Sequence, residues 1–103
     1  MNNMPPKLRK ELADDQYYKK CCIKDGNCSG NIEWHHSLEF AGKQIQRKFA
    51  ILPACQYHHD RVAIFKKIFH WIALNRATEQ ELKEFERANF KRELMILNKL
   101  YKK

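Results

Sequence analysis

The chain has 103 residues, of which 44% are hydrophobic and 31% are charged, and its formal net charge is +8. This composition excludes a disordered chain, and no stretch reaches the ~20 apolar residues that a membrane span requires. One small domain is expected, with a basic surface that favours a polyanion such as nucleic acid.

The first twenty residues predict an N-terminal helical arm, residues 1–20. Pro5 and Pro6 precede the segment KLRKELADD, and proline is tolerated in the first turn of a helix. The terminus MNNMPPKLRK has no apolar core of the kind found in signal peptides. We therefore expect a cytoplasmic protein without a signal peptide or a membrane partner.

The next segments predict a β-hairpin. KDGNCSGN, residues 24–31, is rich in turn formers, whereas IEWHHSLEF, residues 32–40, is partly alternating and typical of a strand. AGKQIQRK then predicts a reversal of the chain, and KFAILPA predicts a second strand. Pro53 indicates that this strand ends there or lies at a sheet edge.

Helical patterns follow from about Gln56. Val62, Phe65, Phe69 and Ile72 recur at three- and four-residue steps, and the pattern is lost near LNRAT. A core of residues 21–75 is therefore expected, and the overall class is α+β.

The segment that starts at Thr78 predicts a final helix, residues 78–101. Thr78 and Glu81 form a capping-box pattern, and the helix should reach about Tyr101. The residues expected to face inward are Leu82, Phe85, Leu94, Leu97 and Leu100. A homodimer seam along this helix is the alternative to packing on the core.

Cysteines and histidines are clustered at both ends of the predicted hairpin. Four of the five histidines form two doublets, at residues 35–36 and 58–59. Reduced thiols near histidines indicate zinc, which prefers four tetrahedral nitrogen or sulfur ligands, although cysteines also pack as small apolar residues. The predicted ligands are Cys21 or Cys22, then Cys28, Cys55, and His58 or His59.

This arrangement resembles the HNH endonucleases that have a zinc-bound ββα-metal core, above all the small phage-encoded members. The resemblance rests on Cys21-x6-Cys28, Trp34-His35-His36 and Pro53-Ala-Cys55-x2-His58-His59, with a glycine-lysine turn between them. It covers about residues 21–70. It implies a short β-hairpin plus a helix around a treble-clef-like zinc core, here with flanking helices, and a phage or prophage origin in a bacterial host.

The resemblance also implies a role for each site residue. His36 matches the general base that takes a proton from the attacking water. His35 and His59 match ligands of a catalytic Mg2+ or Mn2+ ion at the scissile phosphate. Cys21, Cys28, Cys55 and His58 match the zinc ligands. The expected activity is metal-dependent hydrolysis of DNA phosphodiester bonds with low sequence specificity.

One position departs from the family pattern. The asparagine that usually lies five residues before the zinc-binding cysteine is Ala50 in this chain. That asparagine normally braces the loop that holds the general base, and Gln44 and Gln46 are the candidates to replace it.

Basic residues surround the doublets and are expected to contact DNA phosphates, which adds affinity but no sequence code. They are Lys43, Arg47, Lys48, Arg61, Lys66 and Lys67. Two other functions compete with a nuclease. Ala50 favours a non-catalytic, zinc-stabilised nucleic-acid-binding module, and the small size also suits a phage factor that binds a host protein.

Overall fold

The computed structural model describes residues 4–101, so the first three residues of the predicted arm and the last two residues of the chain lie outside the described part. The fold is α+β, as the sequence predicts. Its elements are α1 (Pro6–Asp14), β1 (Ile32–His36), β2 (Glu39–Phe40), β3 (Lys43–Gln44), β4 (Ile51–Cys55), α2 (Gln56–His59), α3 (Val62–Arg76), α4 (Glu79–Glu84) and α5 (Phe90–Tyr101).

The central sheet pairs β1 with β4 in antiparallel register. Ile32 lies opposite Cys55, and His36 lies opposite Ile51. Because the strands run in opposite directions, Cys55 and His36 mark opposite ends of the same sheet. The candidate zinc ligand Cys55 and the candidate general base His36 are thereby separated along the β1–β4 sheet.

The prediction of one strand over residues 32–40 is wrong, because the chain bends after His36. Ser37 and Leu38 are buried at the bend, and the Ser37 N–H donates to the carbonyl of Ala50 over 2.9 Å. A second hairpin, β2–β3, then forms around Ala41 and Gly42, whose φ angles are 55° and 78°. This pair of positive φ values is typical of the tight turns that join antiparallel strands.

The helices are shorter than the sequence patterns predict. The helix predicted from Gln56 is interrupted between α2 and α3, and the final helix is split near Asn89, whose φ is 58°. The capping box is confirmed, since the Thr78 side chain accepts from the Glu81 N–H. The expectation that Leu100 faces inward is wrong, because it is 54% exposed.

Two apolar cores lie on opposite faces of the β1–β4 sheet. The larger core includes Leu52, Phe69 and Leu97. The smaller core packs Leu12 of α1 against Ile51 and is covered by Trp34. The predicted N-terminal helix is therefore confirmed and covers one face of the sheet.

The longest helix within residues 4–101 is α3, with 15 residues. No helix in that range combines the length and the apolar character that a bilayer crossing requires.

The loop before β1 contains a glycine that the packing requires. Gly30 has a φ of 81°, and a Cβ there would lie 2.5 Å from the Gln56 Cβ. Gly26 has a similar φ of 84° but open space around it. Both glycines therefore have a positive φ that disfavours other residues, but only Gly30 lacks space for a side chain.

We predict that Gly30→Ala lowers the free energy of unfolding by about 1–3 kcal/mol more than Gly26→Ala. Both variants introduce a side chain at positive φ, whereas only the first forces α2 away from the loop. Chemical denaturation of the two variants measures the difference. Equal destabilisation would contradict the role assigned to the contact with Gln56.

Candidate metal centre and histidine cleft

Backbone contacts bring the first two predicted zinc ligands to the end of β4. The N–H of Cys22 donates to the carbonyl of Pro53 over 2.9 Å, which ties the segment before the loop to the strand. Cys21 is thereby buried beside Cys55. The loop then turns at Asp25, which accepts from the Asn27 N–H over 3.0 Å and precedes Cys28.

Three sulfurs surround one nitrogen of the second histidine doublet. The Nδ1 atom of His58 lies 3.5 Å from the Cys21 Sγ, 3.7 Å from the Cys28 Sγ and 3.1 Å from the Cys55 Sγ. All four ligand atoms lie within 4.8 Å of one another, and the cysteines form no disulfide. A tetrahedral zinc ion with Zn–S of about 2.3 Å and Zn–N of about 2.0 Å requires its ligand atoms to lie roughly 3.5–3.8 Å from one another. The distances from the His58 Nδ1 to the Cys21 and Cys28 sulfurs fall in this range.

The electrostatics of this Cys3His cluster fit a divalent cation. Desolvation, followed by hydrogen bonds with Cys55 and Cys21, raises the pKa of the Cys28 thiol. Desolvation also opposes ionisation of Cys55, but hydrogen bonds from His58 and Ser29 outweigh it and lower the pKa of that thiol. A bound cation would stabilise all three thiolates.

Asp25 is a part of the centre that the sequence motif did not identify. Its carboxylate oxygens lie 3.0 and 3.1 Å from the His58 Nε2. Because a carboxylate only accepts, Nε2 carries the hydrogen, so a neutral His58 has its lone pair on Nδ1, where a metal ion among the sulfurs could bind it. The bond to His58 lowers the pKa of Asp25, so the carboxylate is ionised and orients the imidazole as an outer partner of a metal ligand does.

The structure distinguishes between the ligand alternatives that the sequence leaves open. Cys21 and His58 belong to the cluster, whereas Cys22 and His59 do not. Desolvation raises the pKa of the Cys22 thiol to about 12, which disfavours the thiolate. In each pair of adjacent residues, Cys21–Cys22 and His58–His59, one side chain therefore belongs to the cluster and the other does not.

His59 faces the first strand instead of the sulfurs. Its Nδ1 lies 2.6 Å from the Glu33 Oε1, and its ring centroid lies 5.4 Å from that of His35. Because a carboxylate only accepts, Nδ1 carries a hydrogen, and the lone pair of a neutral His59 is then on Nε2. His35 and His59, the two predicted ligands of a catalytic ion, therefore lie side by side.

Burial keeps His35 neutral. Desolvation, followed by the charges of His59, His36 and His70, lowers the pKa of His35 to about 4. A neutral imidazole is the form that binds a metal ion. The ring packs against Phe69 with a centroid distance of 4.7 Å, which holds it at the sheet surface.

His36 is braced by Gln46, which lies in the segment that the sequence predicts to reverse the chain. Its Nε2 lies 3.1 Å from the Gln46 Oε1, and because an amide oxygen only accepts, Nε2 carries the hydrogen. The lone pair of a neutral His36 is then on Nδ1. Ala50, in the position of the family asparagine, is fully buried and supports the same bend through its carbonyl, which accepts from Ser37.

A cleft of about 630 Å³ opens beside the first doublet. Its lining includes both histidines of that doublet, Lys66, and the imidazole of His70, whose Nδ1 lies 2.8 Å from the Glu93 Oε2. Within residues 4–101, the Cys3His cluster is the only group of three or more metal-ligating side chains. Among the described residues, His35 and His59 therefore do not belong to a group of this kind.

The six basic residues that are predicted to contact DNA phosphates differ in their surroundings. Arg47 pairs with Glu84 over 2.7 Å, and Lys48 pairs with Asp15 over 2.7 Å. Arg61 stacks on Tyr57 with 3.9 Å from its guanidinium carbon to the ring centre. The other three, Lys43, Lys66 and Lys67, are exposed on β3 and α3.

Comparison of the chain with protein-family models, with curated proteins and with solved structures finds no match. The geometry of the Cys3His cluster and of the cleft therefore carries the functional argument.

We predict that Cys21→Ser removes most of the bound zinc, whereas Cys22→Ser retains about one zinc ion per chain. Of these two cysteines, only Cys21 directs its sulfur at His58. Elemental analysis after dialysis against a weak chelator measures the ratio. Loss of zinc from Cys22→Ser and retention by Cys21→Ser would contradict the assignment.

We predict that Asp25→Asn weakens zinc binding about 10- to 100-fold, because the neutral amide orients the His58 ring less strongly. Competition with a chromogenic chelator measures the affinity. Asp14→Asn is the matched control, since Asp14 is exposed and pairs only with Lys10 over 3.4 Å among the described residues. A similar affinity for both variants would rule out the orienting role.

Proposed function

We propose that the protein is a zinc-stabilised, metal-dependent endonuclease of the HNH type, which hydrolyses DNA phosphodiester bonds with low sequence specificity. The single observation that carries this proposal is that His35 and His36 line one cleft while the ring centroid of His59 lies 5.4 Å from that of His35. In a ββα-metal arrangement, β1 and the helix that follows β4 would supply these three residues. The HNH resemblance and a phage origin belong to this proposal.

His36 is suited to act as the general base. Gln46 accepts the Nε2 hydrogen, so the Nδ1 lone pair remains available to take a proton from water. The water oxygen would then attack phosphorus, the bond from phosphorus to the leaving oxygen would break, and the proton would remain on His36. Gln46 would thus brace the general base in place of the asparagine of the HNH pattern, whose position is occupied here by Ala50.

His35 and His59 would hold the catalytic divalent ion, Mg2+ or Mn2+. Glu33 orients His59, and burial keeps His35 neutral, so each presents an imidazole in its metal-binding form. When bound, such an ion neutralises charge on the phosphate and on the leaving oxygen. With two protein ligands, most of its coordination shell is left for water and phosphate oxygens, which suits Mg2+.

The Cys3His cluster would bind zinc for structure rather than for chemistry. Four protein ligands leave no open position for a substrate or a water. The zinc would instead fix His58, and therefore the start of α2, on which His59 depends.

DNA is the substrate that the exposed cations support best. Lys43, Lys66 and Lys67 would contact backbone phosphates on either side of the cleft. Arg47 and Lys48 are committed to ion pairs and would add less.

A second candidate is a non-catalytic, zinc-stabilised module that binds nucleic acid. It is favoured because, within residues 4–101, His35 and His59 do not form a group of three or more mutually close metal-ligating atoms with any other side chain. In this case the cleft would bind the DNA backbone without cleaving it.

We predict that the pure, zinc-loaded protein cleaves plasmid DNA with Mg2+ or Mn2+ and not with EDTA. His36→Ala should lower the rate by about 100-fold or more, because the general base is lost. Gel analysis of nicked and linear plasmid measures the rate.

Cys22→Ser serves as the control, because its sulfur lies outside the cluster, and it should retain the rate of the native chain. Undiminished cleavage by His36→Ala would refute the assigned base. Salt-sensitive DNA binding without cleavage under any divalent ion would select the binding module.

A further inference from the structure

The fifth histidine of the chain, His70, lines the same cleft as the first doublet. It belongs to α3, and Val62 and Lys66 precede it in the lining at four-residue steps, which places all three on one face of the helix. The side chain of His70 is 23% exposed. The HNH resemblance gives it no role, so this imidazole is unused by the mechanism proposed above.

A carboxylate from another helix fixes the ring of His70. Its Nδ1 lies 2.8 Å from the Oε2 of Glu93 on α5. Because a carboxylate only accepts, Nδ1 carries a hydrogen. Within residues 4–101, the Nε2 of His70 forms no hydrogen bond, and it is not one of the buried polar atoms that lack a partner. This nitrogen is therefore open to solvent.

Phe69 connects His70 with the first doublet. It precedes His70 on α3, and its ring centroid lies 4.7 Å from that of His35. Desolvation is the main cause of the lowered pKa of His35, and the charge of His70 adds to it, so the two imidazoles lie within electrostatic range. The cleft volume of about 630 Å³ is in the range of clefts that hold one small group. A group bound there would therefore meet the walls that carry His36 and His70.

The partners of His36 and His70 differ in charge. The Gln46 amide that holds His36 is neutral, whereas the Glu93 carboxylate forms a charge-assisted hydrogen bond with a protonated imidazole. Two titratable groups of one cleft with contrasting surroundings are typical of a general base and a general acid. His36 is thereby suited to accept a proton and His70 to donate one. The other ionisable side chains of the lining are His35, Glu39, Lys66 and Arg87.

We infer that His70 is a second catalytic residue, the general acid that protonates the leaving oxygen, and that Glu93 positions its ring. This inference rests on the proposed function, since it assigns the second proton transfer of the same hydrolysis. As the bond from phosphorus to the leaving oxygen breaks, its electron pair goes to that oxygen, which takes the proton of the His70 Nε2. His36 keeps the proton of the attacking water, and exchange with solvent restores both histidines.

The experiment uses DNA in which sulfur replaces one bridging oxygen of a single phosphodiester, at the 3′ side in one substrate and at the 5′ side in another. A thiolate leaves without needing a proton, so sulfur on the leaving side makes a general acid unnecessary. His70→Asn removes Nε2 but keeps a donor for Glu93. With zinc-loaded protein and Mn2+, we expect this variant to lower kcat on unmodified DNA about 100-fold, with KM little changed. Sulfur on the leaving side should restore kcat to within about threefold of the native chain.

Asn98→Ala is the matched control. Asn98 accepts from the Trp71 Nε1 over 2.8 Å, so it also joins α3 to α5, but it does not line the cleft. We expect this variant to keep the native kcat. Glu93→Gln should lower kcat about tenfold, because a neutral amide holds the imidazolium less strongly, and sulfur should restore this loss as well. His36→Ala should gain nothing from sulfur at either side, because the attacking water still lacks its base.

The outcomes separate this inference from the nuclease proposal. A native kcat in His70→Asn on unmodified DNA, with cleavage that still requires His36, would overturn the general acid alone. A loss in His70→Asn that sulfur restores at neither side would also overturn it, since His70 would then act on binding or folding. Absence of cleavage by the native chain with any divalent ion would refute the nuclease, and the second proton transfer with it.

Discussion

The short helix α2 depends on the Cys3His cluster, and both candidate sites depend on α2. His58 is fully buried with its Nδ1 among three sulfurs, and this fixes the rotation of a helix of only four residues. Because His59 is the next residue, the same rotation sets its position beside His35 on β1. The Cys3His cluster and the His35–His59 pair are therefore two consequences of one constraint.

Oxygen acceptors fix the imidazoles of the doublets in a common way. Asp25 holds one nitrogen of His58, Glu33 one of His59, and the Gln46 amide one of His36. In the neutral form of each ring, the other nitrogen then carries the lone pair. His35 has no such acceptor among the described residues and is kept neutral by burial instead.

The sequence predicts the local features of this fold better than its long-range contacts. The capping box at Thr78 and the cysteine spacing are readable because each depends on residues close in the chain. The bend after His36 is not readable, since it depends on burial of Ser37 and Leu38 against distant parts of the chain. Asp25 was also missed, because a loop carboxylate has no periodic pattern and its partner His58 is 33 residues away.

The strand β4 has consequences for how the molecule unfolds. Ile51 packs into the small core under α1, whereas its neighbour Leu52 packs into the large core with α3 and α5. The same strand ends in Cys55, within the Cys3His cluster. Amide hydrogen exchange of α1 and of β4 is therefore thermodynamically linked to metal occupancy, and the N-terminal arm behaves as part of one cooperative unit.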